Sequence, residues 1–225
     1  MTILEQDPAS ERSSRLAGLA LGASVTAFLA ENDDTKVTVG IPSQSTIFAW
    51  YKWPKVLTIG VPRELSSWGL LYRILRANYD GLASVAVANP PPPRKGDGAT
   101  KYVLGKKVTG LRYDAEPGTV DVQFVDVSTG EESSITAELV LGADGINSTV
   151  RKLVQGPAAK EYSGYVAWRA TVPERLLSKE TVAYFSNRFV ASMMNRTYMM
   201  MLVTHRPLLD LILFLHCTTN ARITV

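Results

Sequence analysis

A chain of 225 residues, 46% hydrophobic and 20% charged, is long enough to bury a real core and lies close to ordinary soluble globular proteins, far from disordered or collagen-like compositions. Its 24 basic and 21 acidic residues leave a net charge of +3 and are mixed along the chain, which argues against a nucleic-acid-binding arm. One cysteine, Cys217, excludes an internal disulfide or a cysteine-rich metal site, and two histidines, His205 and His216, offer little for metal catalysis.

The first residues, M-T-I-L-E-Q-D-P, lack a basic region followed by an apolar stretch, so no signal peptide is expected. The most apolar stretch, Tyr198 to Cys217, is broken by His205, Arg206, Pro207 and Asp210, a poor fit to a membrane span of about 20 apolar residues. A cytoplasmic protein without membrane or nucleic-acid partners is the expectation. The Asn147 and Asn195 matches to the glycosylation pattern are read as chance.

In chain order, Thr2-Ile3-Leu4 reads as the end of a buried strand and Gln6 to Ser14 as the loop after it. Leu19 to Leu29 has helical apolar spacing, stopped by Asn32-Asp33-Asp34. Lys36 to Trp50 and Lys55 to Val61, divided by Pro54, read as paired strands. Ser66 or Ser67 caps a helix to about Tyr79 that buries Leu70, Leu71, Ile74 and Leu75. Asn89 to Gly98, N-P-P-P-P-R-K-G-D-G, cannot pair inside a sheet because proline has no N–H, and is read as an exposed connection. A meander follows, with strands at Tyr102 to Leu104, Lys107 to Tyr113, Thr119 to Val127 and Ser134 to Leu141. The last of these feeds a buried strand, Leu139-Val140-Leu141, then Gly142 and a helix from about Ser148 to Leu153. Tyr162 to Val172 and Thr181 to Leu202 read as strands of a second layer, and there is no internal repeat.

In an open parallel sheet, ligands sit beyond the carboxyl ends of the strands, and glycine there lets backbone approach a phosphate or flavin. Gly142-Ala143-Asp144-Gly145 stands at such an end, with Arg151 one helical turn beyond. From these residues alone, a tight turn with Asp144 as a helix cap accounts for the pattern equally well.

The stretch Ala137 to Arg151, A-E-L-V-L-G-A-D-G-I-N-S-T-V-R, resembles the Asp-Gly fingerprint of the FAD-dependent aromatic hydroxylases, the para-hydroxybenzoate hydroxylase class. Other segments agree in order: E-Q-D-P at Glu5, A-G-L-A-L-G at Ala17, S-S-W-G-L-L-Y-R-I-L-R-A-N-Y-D-G at Ser66 and Y-V-A-W-R-A-T-V-P-E at Tyr165. The last two look most similar to a fungal-type, 2,6-dihydroxypyridine 3-monooxygenase-like branch. The resemblance runs from about Thr2 to about Met200.

It implies a mixed α/β fold: an FAD/NAD(P)-binding, Rossmann-like domain of the para-hydroxybenzoate hydroxylase type, incomplete, with a β-sheet substrate domain begun. The implied domains are residues 1–160 for FAD, with 36–62 lending strands to the substrate side, 161–206 for the start of the substrate domain, and an atypical tail at 207–225. FAD is the implied cofactor, NAD(P)H the reductant and a small aromatic ring the substrate. By the same resemblance Glu5 binds the adenosine ribose, Arg15 (with Arg12 as competitor), Val108, Asp144, Gly145 and Arg151 bind the cofactor, and Tyr165 and Arg169 face the substrate. No catalytic base is assigned. The family's arginine at the start of the helix near residue 68 is replaced by Trp68.

No G-x-G-x-x-G occurs in the chain, and the turn it would make before a helix N-terminus is what receives the pyrophosphate. The family's later Gly-Asp motif has no counterpart, since Gly96-Asp97 lies in the proline loop. Both ends of the enzyme are therefore expected to be missing, and weak or no FAD binding is expected of the chain as written. The alternative is a non-catalytic piece of such an enzyme, kept as an interaction segment or arising from a shortened gene model.

Overall fold

The computed structural model describes residues 1–10, 18–43, 45–50, 56–59, 63–157, 159, 161, 165–185, 188–194, 197–203 and 210–218. In chain order the elements are β1 (Thr2–Leu4), β2 (Gly18–Leu21), α1 (Ala23–Asn32), β3 (Ile41–Ser43), β4 (Ser45–Trp50), β5 (Val56–Ile59), β6 (Arg63–Ser67), α2 (Trp68–Asp80), β7 (Lys101–Val103), β8 (Lys106–Asp114), β9 (Thr119–Asp126), β10 (Glu132–Ala137), α3 (Thr149–Gln155), β11 (Tyr165–Pro173), α4 (Lys179–Phe185), β12 (Arg188–Met194), β13 (Thr197–Val203) and β14 (Asp210–Thr218), with a 3-10 turn at Glu174–Leu176 before α4. This is a mixed α/β chain. It divides into two compact units, Met1–Arg12 with Gly96–Glu161, and Ser13–Lys95 with Tyr162–Val225.

In the first unit β1 pairs in parallel with β7, Thr2 opposite Lys101 and Leu4 opposite Val103. The ladder continues past the strand end: Glu5 N–H donates to the Val103 carbonyl (2.9 Å) and Lys106 N–H donates to the Glu5 carbonyl (2.8 Å). The antiparallel meander β8-β9-β10 follows. Along β9, Val122 and Phe124 fall two apart on one face and are buried, the period expected of a half-buried strand. The turn after β9 is fixed by Asp126, whose carboxylate takes the Lys106 ammonium at 2.5 Å and the Ser128 and Thr129 amides at 2.8 and 3.1 Å. The Lys106 partner and those two amides hold its carboxyl down at about 2. Helix α3 packs against β8.

In the second unit β6 lies between β2 and β3, antiparallel to both. A six-stranded sheet has the order β11-β14-β13-β12-β4-β5, with β12 and β4 parallel. The core is a cluster of Leu70, Ile74 and Ala77 from α2 with Val87, flanked by Val37, Val39 and Ala86. Positions 70, 74 and 77 form the stripe one face of a helix presents. Ser67 caps α2, its Oγ accepting from the Leu70 amide at 3.2 Å, and Gly81 ends it at φ +70°, where a Cβ is disfavoured.

Four local expectations are corrected. Leu19 to Leu29 is a strand and then a helix, because Gly22 breaks the run and residues 18–21 find β6 as a partner. Leu75 is exposed, and Ala77 takes the place expected for it in the buried stripe. Thr181–Phe185 is helical, started by Ser178, whose Oγ accepts from the Thr181 amide at 3.1 Å. Leu139-Val140-Leu141 forms no strand: the chain leaves β10 at Ala137, and among the described residues nothing pairs with these three. Leu139 and Leu141 are 73% and 75% exposed. A strand needs a neighbour to take its backbone groups.

Residues 45–50 and 56–59 lie as β4 and β5 in the sheet that holds β11 to β14, and β14 occupies 210–218 between β11 and β13. Pro54 and Pro207 lie outside the described residues. The connection at 89–98 carries no helix or strand.

Candidate functional site

The turn from Gly142 to Ser148 is built around one carboxylate. The Ser148 hydroxyl donates to Asp144 Oδ1, while Asp144 Oδ2 accepts from the Thr149 amide at 2.5 Å and the Val150 amide at 3.1 Å. These amides open α3, where helix N–H groups have no intrahelical partner and a negative charge is favoured. Burial pushes the Asp144 carboxyl up, but the Ser148 hydroxyl and the Val150 and Thr149 amides together outweigh it and leave the group below the usual carboxylate range. Asp144 is therefore an ionised cap at neutral pH and a poor proton acceptor.

The rest of the turn closes on itself. Ser148 is buried and its Oγ accepts from the Arg151 amide at 2.9 Å, so this hydroxyl is both N-cap and donor to Asp144. Gly145 sits at φ +75°, a conformation that favours glycine, and its carbonyl accepts from the Ser148 amide at 3.1 Å. A Cβ on Gly142 would come within 2.7 Å of Val150 Cγ1, so glycine is needed there for the turn to lie against its own helix. The Arg151 guanidinium folds back and donates to the Ile146 carbonyl at 2.7 Å. Residues 142–147 are exposed.

Asp144, Gly145 and Arg151 thus form one cluster. Glu5 belongs to the same compact unit, at the end of β1, where its Oε1 accepts from the Asp7 amide at 3.0 Å. Val108 lies in β8 opposite Phe124, half-buried, in a packing position. Arg15 and Arg12 lie outside the described residues. Tyr165 and Arg169 fall in β11, in register with Thr218 and Phe214, and their side chains lie outside the described residues.

Two polar clusters escaped the sequence reading. Ser148 stands four residues after Asp144, a spacing that marks a cap pair. On α2, Arg76 is 7% exposed; its Nε and Nη2 reach Asp80 at 3.1 and 2.7 Å and its Nη1 donates to the Tyr72 hydroxyl at 2.6 Å. Tyr72 in turn stacks on Trp68, ring centroids 5.1 Å apart. The four positions share one helix face at i, i+4 spacing, and Trp68 is the end of that column.

A family model described as FAD binding domain-like matches residues 162–205. Over 98 residues the chain is 33% identical to the 2,6-dihydroxypyridine 3-monooxygenase of Paenarthrobacter nicotinovorans, covering 44% of this chain and 23% of that protein. Over 73 residues it is 42% identical to the 6-hydroxynicotinate 3-monooxygenase of Bordetella bronchiseptica, covering 32% of this chain and 17% of that one. The solved 2,6-dihydroxypyridine-3-hydroxylase from Arthrobacter nicotinovorans matches with a TM-score of 0.72 at 19% identity, over 97% of this chain and 50% of its own. Klebsiella pneumoniae HpxO, solved with FAD and uric acid, matches at 0.68 and 17% identity, over 100% of this chain and 57% of its own. The chain spans about half the length of these structures.

The fold is that of the flavoprotein hydroxylases. Over part of its length by sequence, and over nearly all of it by fold, the chain is similar to the monooxygenases and hydroxylases named above.

Proposed function

We propose that the chain is part of an FAD-dependent monooxygenase that hydroxylates a small aromatic or heteroaromatic ring with NAD(P)H and oxygen. The observation that carries the reading is the pair of identities to two enzymes whose names specify hydroxylated nitrogen heterocycles, 33% and 42%.

The residues fit part of an FAD site. Gly145 has open space where a side chain would stand, and the exposed turn around it lets a flat or phosphorylated group meet backbone closely. Glu5, at the carboxyl end of a parallel strand, has the position and chemistry for a ribose contact. Asp144 supports the turn through α3, Arg151 holds the Ile146 carbonyl, and Arg15 is a further candidate. FAD, when bound, supplies the redox and oxygen chemistry. The chain's own residues bind and orient it, and no proton transfer is assigned to Asp144, whose lone pairs are committed to α3. Tyr165 and Arg169 remain candidates for the substrate side.

The test is incubation of the chain with FAD, NADH or NADPH, oxygen and a panel of hydroxylated pyridines, with mass spectrometry for a product heavier by one oxygen. Such a product supports the reading. FAD binding without product from any panel member supports a second one, a non-catalytic interaction piece, which the exposed Leu139 and Leu141 favour because apolar surface of that kind invites association. Product from no member of the panel, with or without FAD binding, counts against the first reading.

A further inference from the structure

Four consecutive prolines, Pro90 to Pro93, stand before Arg94 and Lys95, all within the second compact unit. No role in binding FAD is assigned to them. Each proline fixes its own φ, and Asn89 to Pro92, each followed by a proline, are also held to extended ψ. Residues 90–94 carry no helix or strand, and sterics leave the run a polyproline II rod of about three residues per turn. Residues three apart therefore share one ridge of the rod.

Arg94 decides which ridge faces inward. Its Nε meets Asp34 Oδ2 at 2.5 Å and its Nη2 donates to the Glu31 carbonyl at 3.2 Å. Asp34 is itself held: its amide donates to Asn78 Oδ1 at 2.9 Å, and Asn78 Nδ2 donates to the Ile74 carbonyl of α2 at 2.8 Å. Pro91, three residues before Arg94, falls on the clamped ridge and is half-buried. Pro92 and Pro93 are exposed, as is Asn89, while Pro90 is half-buried. The ridges of Pro90 with Pro93 and of Asn89 with Pro92 flank the side away from the clamp. Lys95, two residues past Pro93, is exposed and enters no ion pair among the described residues.

A groove lined by aromatic rings recognises such a rod by taking prolines on successive turns, and a carboxylate at its rim can pair with a cation just beyond them. Pro90-x-x-Pro93-x-Lys95 offers both. We infer that Asn89 to Lys95 is a docking segment for a partner protein with such a groove, of the SH3 type. Pro90 and Pro93 lie against the rings and Lys95 meets the rim carboxylate. The prolines have little conformational freedom to lose, and the Arg94 clamp turns their outer ridges to solvent before the partner arrives, so the ordering cost of association is small. Of the two adjacent cations, Arg94 orients the rod and Lys95 reads the partner's charge.

The test titrates the full chain into a panel of isotope-labelled SH3 domains with acidic groove rims, reading their amide resonances by nuclear magnetic resonance. Saturable shifts confined to the groove are expected for at least one domain. Pro93→Ala is expected to weaken binding about tenfold and Lys95→Glu about fivefold or more, the scale of a central contact and of a reversed rim charge. Pro91→Ala, on the clamped ridge, is expected to change it by less than about twofold. A synthetic peptide of residues 88–96 with the same substitutions must give the same order, so that a variant that fails to fold does not decide the outcome. Shifts in no domain, shifts outside the groove, equal losses from Pro91→Ala and Pro93→Ala, or unchanged affinity in Lys95→Glu overturns the proposal.

Discussion

The buried Ser148 hydroxyl donates to the Asp144 carboxylate four residues earlier and accepts from the Arg151 amide three residues later. One hydroxyl thereby joins the Asp-Gly turn to the helix behind it. The residues that look most like chemistry in the sequence are held first as a structural cap, and the proposed FAD site depends on that cap holding the exposed glycine turn in shape.

Removing either half of the cap should loosen the turn. Asp144→Ala and Ser148→Ala are each expected to cost about 1–2 kcal/mol, the range for lost N-caps, measured by urea denaturation of the purified chain. Because the two share one hydrogen-bond network, the double variant should cost less than the sum of the singles. Strict additivity would show the two side chains acting independently.

The glycines of the turn do different work. Gly142→Ala places a Cβ against Val150 and is expected to cost about 1–3 kcal/mol as overpacking; pairing it with Val150→Ala should recover part of that loss. Gly145→Ala carries only the backbone cost of φ +75°, about 1 kcal/mol, and Val150→Ala should not relieve it. Chemical denaturation of the four variants separates the two mechanisms.

Acid should weaken the first unit through its carboxylates. Both Asp144 and Asp126 are held below the usual range in the folded chain, Asp126 to about 2. Groups with depressed folded values contribute fully above their unfolded pKa, near 3.9 for aspartate, and the contribution is lost as pH falls through the folded value. For Asp126 the window is from about pH 4 to about pH 2. In Asp126→Asn the fall of the denaturant midpoint across that window should be shallower. An identical slope would mean that the Lys106 pair contributes nothing.

On α2, Arg76→Met leaves the half-buried Asp80 without its partner and the Tyr72 hydroxyl without its donor. A loss of about 2 kcal/mol is expected, below the cost of breaking a fully buried pair because Asp80 keeps some solvent. The stacked Trp68–Tyr72 pair should also lose order, seen as reduced near-ultraviolet circular dichroism. Arg76→Met/Asp80→Leu should recover stability without restoring that signal. A dichroism spectrum unchanged in Arg76→Met would show that the guanidinium does not position the aromatic pair.

Much of this was readable in the sequence where periodicity and punctuation agree. The α2 cap at Ser67, the β8-β9-β10 meander and the α3 start at Ser148 each have a capping or turn residue beside an apolar pattern, and all three stand close to where the residues put them. The failures came where local pattern does not decide. Leu139-Val140-Leu141 is as apolar as any buried strand, yet pairing is a property of neighbours, and among the described residues it has none. Leu19 to Leu29 shows that helical spacing can span a strand and a helix when a glycine divides them. Asp144 illustrates the limit for the site, since the residue pattern that suggests a flavin contact is also the pattern of the helix cap it makes.

FAD binding is tested most directly by titrating the purified chain with FAD and following flavin fluorescence, with Glu5→Gln and Gly145→Val alongside. Saturable quenching is expected, and weaker quenching in both variants. No saturable binding, or binding that both variants leave unchanged, would contradict an FAD site built on Glu5 and the Asp144-Gly145 turn.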